Sequence, residues 1–257
     1  MQQPKGYEDS VHPDWICLLQ QALYGPKQSP RQWFALLRSF LLSLHFTQSD
    51  ADLTLFVKHT GSDMFFVVVY VDDLTLATNS KSDLQAFKAS MTERFEMKDL
   101  GELTHYLGLE VSRDRVSRTL SLSQARYVEA VLDRFSLSDC NPISTPLEAN
   151  HTLTRPDDSP PFGSPKLYQQ LVGSLMYLMV CTRPDIAYAV SVLSRYVAEG
   201  RCKEQHWAAG KRVLKYLKGT QAYRLILGGD GPITLKCFSD SSWGDDHSTR
   251  RSTQGYS

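Results

Sequence analysis

The chain lacks the features that mark a secreted, membrane-spanning or zinc-bound protein. Its cysteines are few and scattered, with no CxxC pair: Cys17, Cys140, Cys181, Cys202 and Cys237. This pattern favours reduced thiols over a zinc site or a disulfide framework. No apolar run reaches the ~18–20 residues that cross a bilayer, and the first seven residues carry no apolar signal region. We therefore expect a cytosolic or nuclear protein that is not secreted and has no membrane partner.

The sequence also lacks an excess of charge of either sign. Lysine plus arginine and aspartate plus glutamate number 28 each, so the formal net charge is zero. Composition alone does not indicate a nucleic-acid-binding protein, and any such function has to come from a local basic surface. A length of 257 residues allows one large or two modest domains with a sizeable core.

What the sequence does contain is an apolar stretch interrupted by two adjacent carboxylates. Residues 64–71 are rich in β-branched and aromatic side chains, Asp72 and Asp73 follow, and a second apolar run covers 74–77. This pattern predicts a β-hairpin with the acids at or beside the turn. Paired carboxylates suit Mg²⁺, which prefers hard oxygen ligands, and two such ions ~3.5–4 Å apart catalyse phosphoryl transfer. On the hairpin alone, ordinary Asp-Asp turn chemistry remains an open alternative.

A turn-rich loop over residues 23–31 leads into a helix predicted at 30–44. Lys27, Gln28 and Arg31 place polar donors where this helix begins, and helix N-termini favour anions. The three side chains fit a pocket for the phosphates and base of a nucleotide. A solvated helix start is the alternative. The aromatic residues of the helix fall at helical spacing and are predicted to be core.

The rest of the chain alternates strands and helices and is interrupted by one proline-rich segment. Residues 136–165 carry six prolines and are predicted to form an extended connector, the candidate domain boundary. Ser82 is the predicted N-cap of a helix that ends at Phe95. Strands at 223–227 and 233–238 would place Asp240 just past a strand end. Further helices are predicted at 124–135, 167–181, 185–197 and 203–217.

A local basic surface is predicted on the helix at 203–217. Lys211, Lys215 and Lys218 share one helical stripe because they are spaced by four and three residues. Such a stripe suits the phosphate backbone of a nucleic acid. A solvated helix face explains the same residues, and both interpretations stay open.

Several motifs occur together in one order. The hairpin Tyr70-Val-Asp-Asp73 resembles the Tyr-x-Asp-Asp motif of reverse transcriptases. Around it, the chain resembles the Pol region of copia-type LTR retrotransposons over essentially its whole length. The other matching segments are 23–31, 97–103, 107–111, 171–178, 182–189, 238–245 and 250–256. A lone Tyr-x-Asp-Asp is a weak signal, whereas this ordered set is specific.

The resemblance implies an α+β fold. It implies a right-hand polymerase palm and thumb with incomplete fingers and palm, followed by a helical connection and a truncated RNase H-like start. The implied divisions are a partial reverse transcriptase palm and thumb at 1–135, the extended connector at 136–165, the helical connection region at 166–222 and the RNase H-like start at 223–257.

The resemblance also implies template-directed DNA synthesis from dNTPs on an RNA or DNA template–primer with two Mg²⁺ ions. Asp72 and Asp73 would be the catalytic metal ligands, residues 107–111 would grip the primer end, and Asp240 would be the first acid of an incomplete RNase H site. The nucleotide-binding residues would be Lys27, Gln28, Arg31 and Tyr70. Lys211, Lys215 and Lys218 would contact the nucleic-acid backbone.

Two departures from the family pattern limit these expectations. The third palm carboxylate is expected on a strand that precedes residue 1, and Pro26 stands where the family has an aliphatic residue. The chain by itself is therefore expected to polymerise poorly or not at all.

Two functions remain open. One is a part of a reverse transcriptase that acts with the rest of a Pol polyprotein, in a cytoplasmic virus-like particle or in the nucleus. The other is a non-catalytic remnant that binds nucleic acid weakly. A metal enzyme acting on a non-nucleotide substrate is disfavoured, because the flanking segments fit one family.

Overall fold

The structure of the protein is a computed structural model with antiparallel sheets and α-helices, as the α+β fold class requires. The described residues are 1–20, 22–148, 153, 158–198, 201–232, 236–244 and 250–256. The chain forms two compact units, Met1–Gly101 and Glu102–Ser257. These units are defined by packing and divide before the connector at 136–165. The four-part division implied by the family resemblance remains a prediction.

The first unit contains a four-stranded antiparallel sheet in the order β1-β2-β3-β4. Its described elements are α1 (Ser29–Ser43), β1 (Thr47–Gln48), β2 (Leu55–Thr60), β3 (Asp63–Tyr70), β4 (Asp73–Thr78) and α2 (Lys81–Arg94). The predicted helix at 30–44 and the predicted hairpin are both confirmed.

Strand β3 supplies the centre of the first core. Its alternate residues Phe65, Val67 and Val69 are buried, because successive side chains of a strand point to opposite faces. Helices α1 and α2 bury apolar residues in the same cluster, including Leu37 and Phe87. One face of the sheet is therefore covered by helices, which holds β3 and its connection to β4 on a packed base.

The N-cap of α2 is Ser80, and the predicted cap at Ser82 is wrong. Ser80 has extended backbone angles and its Oγ accepts a hydrogen bond from the Asp83 amide at 3.3 Å. Ser82 already lies inside the helix. Serine is a favoured N-cap residue at either position, and the extended backbone conformation at Ser80 identifies it as the cap.

The second unit combines a helical core with a second antiparallel sheet in the order β5-β6-β7-β8 and a separate β9–β10 pair. Its described helices are α3 (Ala125–Arg134), α4 (Pro165–Cys181), a 3₁₀ turn (Pro184–Ile186), α5 (Ala187–Ser194) and α6 (Glu204–Gly219). Its described strands are β5 (His105–Tyr106), β6 (Leu109–Asp114), β7 (Thr119–Ser123), β8 (Leu225–Gly228), β9 (Ser239–Ser241) and β10 (Gln254–Tyr256).

Helix α3 packs into the same core as α4, α5 and α6, through buried residues such as Val131, Leu175, Leu193 and Leu214. Gly210 lets α4 and α6 approach closely, because a Cβ added there would lie 2.5 Å from Cδ2 of Leu171. None of the helices in the described residues is both long and apolar enough to span a membrane.

Two predictions for the second unit need correction. The helix predicted at 185–197 is a 3₁₀ turn followed by the shorter α5. The strand predicted at 233–238 is not formed at 236–238, while 233–235 lie outside the described residues. Asp240 is the middle residue of β9, paired with Gly255, and does not follow a strand end. Amino-acid composition alone could not show whether the residues before Phe238 or those after it would form the strand.

A network around the buried Arg183 joins the 3₁₀ turn to the end of α6. Arg183 is 3% exposed, and its Nε and Nη2 donate to Oδ1 and Oδ2 of Asp185 at 2.9 and 2.7 Å. The guanidinium also donates to the carbonyl and hydroxyl oxygens of Thr220, the C-cap of α6, at 3.1 and 2.6 Å. Tyr216 Oη donates to Asp185 Oδ2 at 2.7 Å. A cation at a helix C-terminus is favourable, so this network stabilises the C-terminal end of α6.

Replacing Arg183 with alanine is expected to destabilise the second unit by about 3 kcal/mol, since the change leaves Asp185 without its cationic partner and the Thr220 carbonyl without the Arg183 donor. Amide hydrogen exchange of α6 measures the loss. The matched control is Arg126→Ala, which removes a 2.8 Å ion pair to Glu110 in which the arginine is 77% exposed. We expect less than about 1 kcal/mol there. Equal effects of the two variants would contradict the assigned role of Arg183.

The pH dependence of this network follows from Asp185. Burial by itself raises the pKa of the Asp185 carboxyl, but hydrogen bonds from Arg183 and Tyr216 outweigh it and hold the pKa below its ordinary value. The stabilisation is therefore complete above the unfolded-state pKa of about 3.9 and is lost as the pH falls through the lower folded-state pKa. We expect the exchange protection of α6 to fall in this acid range and to fall less in Asp185→Asn. An identical acid response in both proteins would refute the linkage.

Candidate active site

The two candidate catalytic carboxylates lie at the tip of the β3–β4 hairpin. Tyr70 pairs with Asp73, so the loop between the strands consists of Val71 and Asp72 alone. Asp72 is the second loop residue and Asp73 is the first residue of β4, and both are exposed. The predicted placement of the acids at or beside the turn is confirmed. Two hard oxygen ligands are thus presented to solvent from a rigid, hydrogen-bonded ladder.

The loop contains a strained residue. Val71 has a φ of +53°, in the left-handed region that β-branched residues rarely adopt. Asp72 has no positive φ, so the loop resembles a type II′ turn, which favours glycine at this first position. Such a conformation costs on the order of 1–3 kcal/mol and persists where the surrounding structure holds it. The tip is therefore held by contacts beyond its own two strands.

Helix α1 supplies that contact through Trp33. The indole Nε1 donates a hydrogen bond of 2.9 Å to the carbonyl oxygen of Val71. The ring packs edge-on against Phe95, with centroids 5.3 Å apart. Trp33 was predicted to be a core residue and is half-buried, but its bond to the hairpin tip was missed. The available signal was chemical: a partly buried indole N–H requires an acceptor.

The predicted nucleotide-binding residues lie at the start of α1. Lys27, Gln28 and Arg31 are exposed, and Gln28 is the N-cap residue without a side-chain capping bond. The Trp33 bond joins the first turns of α1 to the hairpin tip, which brings these residues and the acids to neighbouring parts of the first unit. Within the described residues no ion pair links them to Asp72 or Asp73. Tyr70, the last residue of β3, is 51% exposed beside the acids.

The two carboxylates suit Mg²⁺ in kind. Asp72 and Asp73 offer the hard oxygens that the ion prefers. In the part of the chain that the structure describes, no group of three or more His, Cys, Asp or Glu side chains has the arrangement of a metal site.

The segment predicted to grip the primer forms a second tight hairpin, in the second unit. Tyr106 pairs with Leu109, and the loop residues Leu107 and Gly108 have φ values of +49° and +80°, as in a type I′ turn. Tyr177 on α4 donates a hydrogen bond to the Leu107 carbonyl oxygen. A Cβ at position 108 would lie 2.9 Å from Tyr177 Oη and would force that side chain to move, and the positive φ also favours glycine. No local sequence pattern indicated this contact between residues 70 positions apart.

The remaining predicted residues lie apart from the hairpin in the chain. Lys211, Lys215 and Lys218 occupy α6 and are half-buried, with Lys211 Nζ 5.7 Å from the centroid of the Trp207 ring. Asp240 is exposed on β9, and its Oδ1 accepts a hydrogen bond from the amide of the next residue, Ser241. The roles predicted for these four residues stay predictions.

Comparison with known proteins establishes the family. Residues 1–149 match the family model described as reverse transcriptase (RNA-dependent DNA polymerase). The chain belongs to the reverse transcriptase family. The tip that Trp33 holds is the Tyr-x-Asp-Asp hairpin of this reverse transcriptase.

Relatives place this reverse transcriptase among copia-type Pol polyproteins. It is 40% identical over 262 residues to the retrovirus-related Pol polyprotein from transposon TNT 1-94 of Nicotiana tabacum, with 100% of this chain and 20% of that protein aligned. It is 38% identical over 256 residues to the Pol polyprotein from transposon RE2 of Arabidopsis thaliana, covering 17% of that protein. A putative transposon Ty5-1 protein of Saccharomyces cerevisiae is 30% identical, with 82% of its length covered.

The chain thus corresponds to the reverse transcriptase region of a copia-type Pol polyprotein, as the motif order predicted. It spans about a fifth of the length of the plant polyproteins that it matches. No solved structure matches it significantly.

Trp33→Phe tests the role of α1 in holding the hairpin. The variant keeps an aromatic ring against Phe95 but removes the donor to Val71, a bond worth about 1 kcal/mol. We expect faster amide hydrogen exchange at residues 71–73 of the reverse transcriptase. The matched control is Trp207→Phe, which alters a half-buried indole of the second unit and should leave hairpin exchange unchanged. Unaltered exchange in Trp33→Phe would show that the tip does not depend on α1.

Proposed function

We propose that this reverse transcriptase chain carries the metal-binding hairpin for template-directed DNA synthesis from dNTPs on an RNA or DNA template–primer, within a larger Pol polyprotein. One observation carries the proposal: Tyr70-Val-Asp-Asp73 forms a two-residue hairpin whose tip is tied to α1, in a chain whose first 149 residues match the family. In this proposal residues 1–135 are a partial reverse transcriptase palm and thumb.

The chemistry assigns a role to each exposed group near the hairpin. Asp72 and Asp73 would hold Mg²⁺, which supplies charge stabilisation to the attacking and leaving oxygens of nucleotidyl transfer. Lys27, Gln28 and Arg31, with Tyr70 beside the acids, would orient the incoming nucleotide. A cationic helix start suits the triphosphate, because helix N-termini attract anions. The Leu107–Val111 hairpin would contact the primer end, and Asp240 would belong to an RNase H site.

Two adjacent acids are few ligands for two Mg²⁺ ions, which leads us to infer that a further carboxylate joins the hairpin. Among the described residues β4 is the last strand of its sheet, so one row of its backbone N–H and C=O groups has no strand partner there. An added strand pairing with β4 would bring its side chains next to Asp72 and Asp73. We therefore expect little polymerisation by the 257-residue chain alone and more when a family segment carrying such a strand is supplied.

Manganese binding tests the hairpin independently of activity. Mn²⁺ replaces Mg²⁺ at oxygen sites and broadens nearby NMR signals, so we expect broadening of the amides of residues 70–74 at low Mn²⁺ concentration. Asp72→Asn and Asp73→Asn should abolish it, because each removes half of the local charge. Asp63→Asn is the matched control at the far end of β3 and should retain the broadening. The assignment fails if the broadening persists in both hairpin variants.

Primer extension on an RNA template provides the second readout of the same substitutions. With a complementary family segment present, Asp72→Asn is expected to lower the rate by about 10²-fold or more, the scale seen when one group stabilising the developing charge is removed. Asp63→Asn should retain the wild-type rate. Equal extension by wild type and Asp72→Asn would remove Asp72 from the catalytic set.

A second candidate function is nucleic-acid binding without catalysis. It is favoured by Lys211 and Lys215, neither of which forms an ion pair within the described structure. Unpaired lysines on one helix stripe suit a phosphate backbone. In either case the proposed site of action is a cytoplasmic particle or the nucleus, where the template would be met.

A further inference from the structure

A cleft of about 570 Å³ lies beside α6 in the second unit. Its volume falls in the range of natural ligand pockets, roughly 300–1,000 Å³. Most of the residues that line it are aliphatic, and they come from the segment before α4 and from one face of α6. These aliphatic residues, called the floor, are Leu137, Ile143, Leu147, Leu153, Ala208 and Ala209. An aliphatic floor of this size favours a ligand with a flat or apolar face.

The rim of the cleft is cationic. Lys211, Arg212 and Lys215 line it from three positions on α6, against one acid, Glu148. Glu148 is already paired with Arg212, at 3.2 Å. Lys211 Nζ lies 5.7 Å from the centroid of the Trp207 ring, and neither lysine forms an ion pair among the described residues. The two lysines therefore add a positive charge to a largely apolar cleft.

Two hydrogen-bonding groups complete the lining. Gln205 contributes a side-chain amide that both donates and accepts. The Nη1 and Nη2 atoms of Arg212 bond to Glu148 and Thr145, but its enclosed Nε has no hydrogen-bond partner within the described structure. An enclosed donor without an acceptor is costly, and a ligand acceptor that draws the guanidinium toward the cleft would remove that cost.

We infer that this cleft binds unpaired nucleotides of single-stranded nucleic acid, with the base on the aliphatic floor and the phosphate at Lys211 and Lys215. A simple apolar acid would contact the floor and the lysines but would offer no further polar group to Gln205 or to Nε of Arg212. A nucleotide supplies all three features, namely a flat face, polar base edges and a phosphate. The inference rests on the proposed nucleic-acid-binding function and deepens it.

The cleft selects single strands over duplex. A base contacts the aliphatic residues that line a cleft only when it is unstacked and unpaired. In a duplex the phosphates still contact Lys211 and Lys215, but the bases remain in the helix. The lysines should thus contribute to both ligands, whereas the floor contributes to single strands alone. This difference separates the cleft from the general basic stripe.

The experiment compares anisotropy of a fluorescent oligo(dT) of about twelve nucleotides with that of a blunt duplex of equal length, using the full chain. Ala208→Leu narrows the cleft at an exposed helix position and keeps every charge. We expect it to weaken oligo(dT) binding by about tenfold, the scale of one lost base contact, and to leave duplex binding unchanged. Ala130→Leu is its matched control, at an exposed position of α3 outside the cleft.

Lys215→Ala tests the contribution of the Lys215 charge to binding. It should weaken both ligands and lower the salt slope for the single strand by about 0.7, the value for one phosphate contact. Lys166→Ala removes an equal charge from an exposed position of α4 and is its control. Weakened single-strand binding in Ala208→Leu, together with a reduced slope in Lys215→Ala, would support the inference.

The outcomes separate the cleft from the proposed function. If Lys215→Ala weakens binding but Ala208→Leu does not, or if duplex binds as well as oligo(dT), the cleft inference is overturned and the basic stripe stands. If neither nucleic acid binds, the nucleic-acid-binding function fails with it. The cleft would instead be assigned to apolar acids if the protein binds dodecanoate but not oligo(dT), and if Ala208→Leu blocks dodecanoate binding.

Discussion

The hydrogen bond between the Trp33 indole and the Val71 carbonyl is the constraint on which the candidate site depends. A two-residue loop with a β-branched residue at positive φ is not a low-energy structure by itself. Two restraints hold it: the β3–β4 ladder, which rests on the buried side chains of β3, and the anchor from α1. The positions of Asp72 and Asp73 are therefore determined by the packing of the first unit and not by the turn residues.

The second unit is organised by a different kind of interaction. Its helices pack through a tight aliphatic core, in which the absence of a side chain at Gly210 leaves room for Leu171. A buried guanidinium then connects the 3₁₀ turn to the end of α6, and Asp185 with Thr220 satisfies its donors. Because charge is costly to bury unless every hydrogen bond is made, this arrangement admits few alternatives. The face of α6 that bears Lys211 and Lys215 is fixed as a result.

Much of this structure could be predicted from local sequence patterns. The alternating residues of β3, the Asp-Asp pair and the helical spacing of α1 each act over a few positions, so the hairpin and the helix were predicted correctly. The contacts of Trp33 with Val71 and of Tyr177 with Leu107 join residues 38 and 70 positions apart. They depend on tertiary packing and have no local signal. The choice of Ser80 over Ser82 as a cap, and the place of Asp240 within β9, likewise depend on backbone geometry.

Among the described strands β4 lies at the edge of its sheet, which has a consequence for how this protein could pair with other chains. An edge strand pairs with an incoming strand through repeated backbone N–H and C=O groups, which do not depend on side-chain identity. The length, register and direction of the incoming strand then determine whether it can pair with β4. Asp72 and Asp73 mark one end of the edge with negative charge, so an incoming strand that brings its own carboxylate there is repelled until a cation is shared among the three. Assembly of the hairpin with such a strand and capture of metal would thus be a single coupled equilibrium.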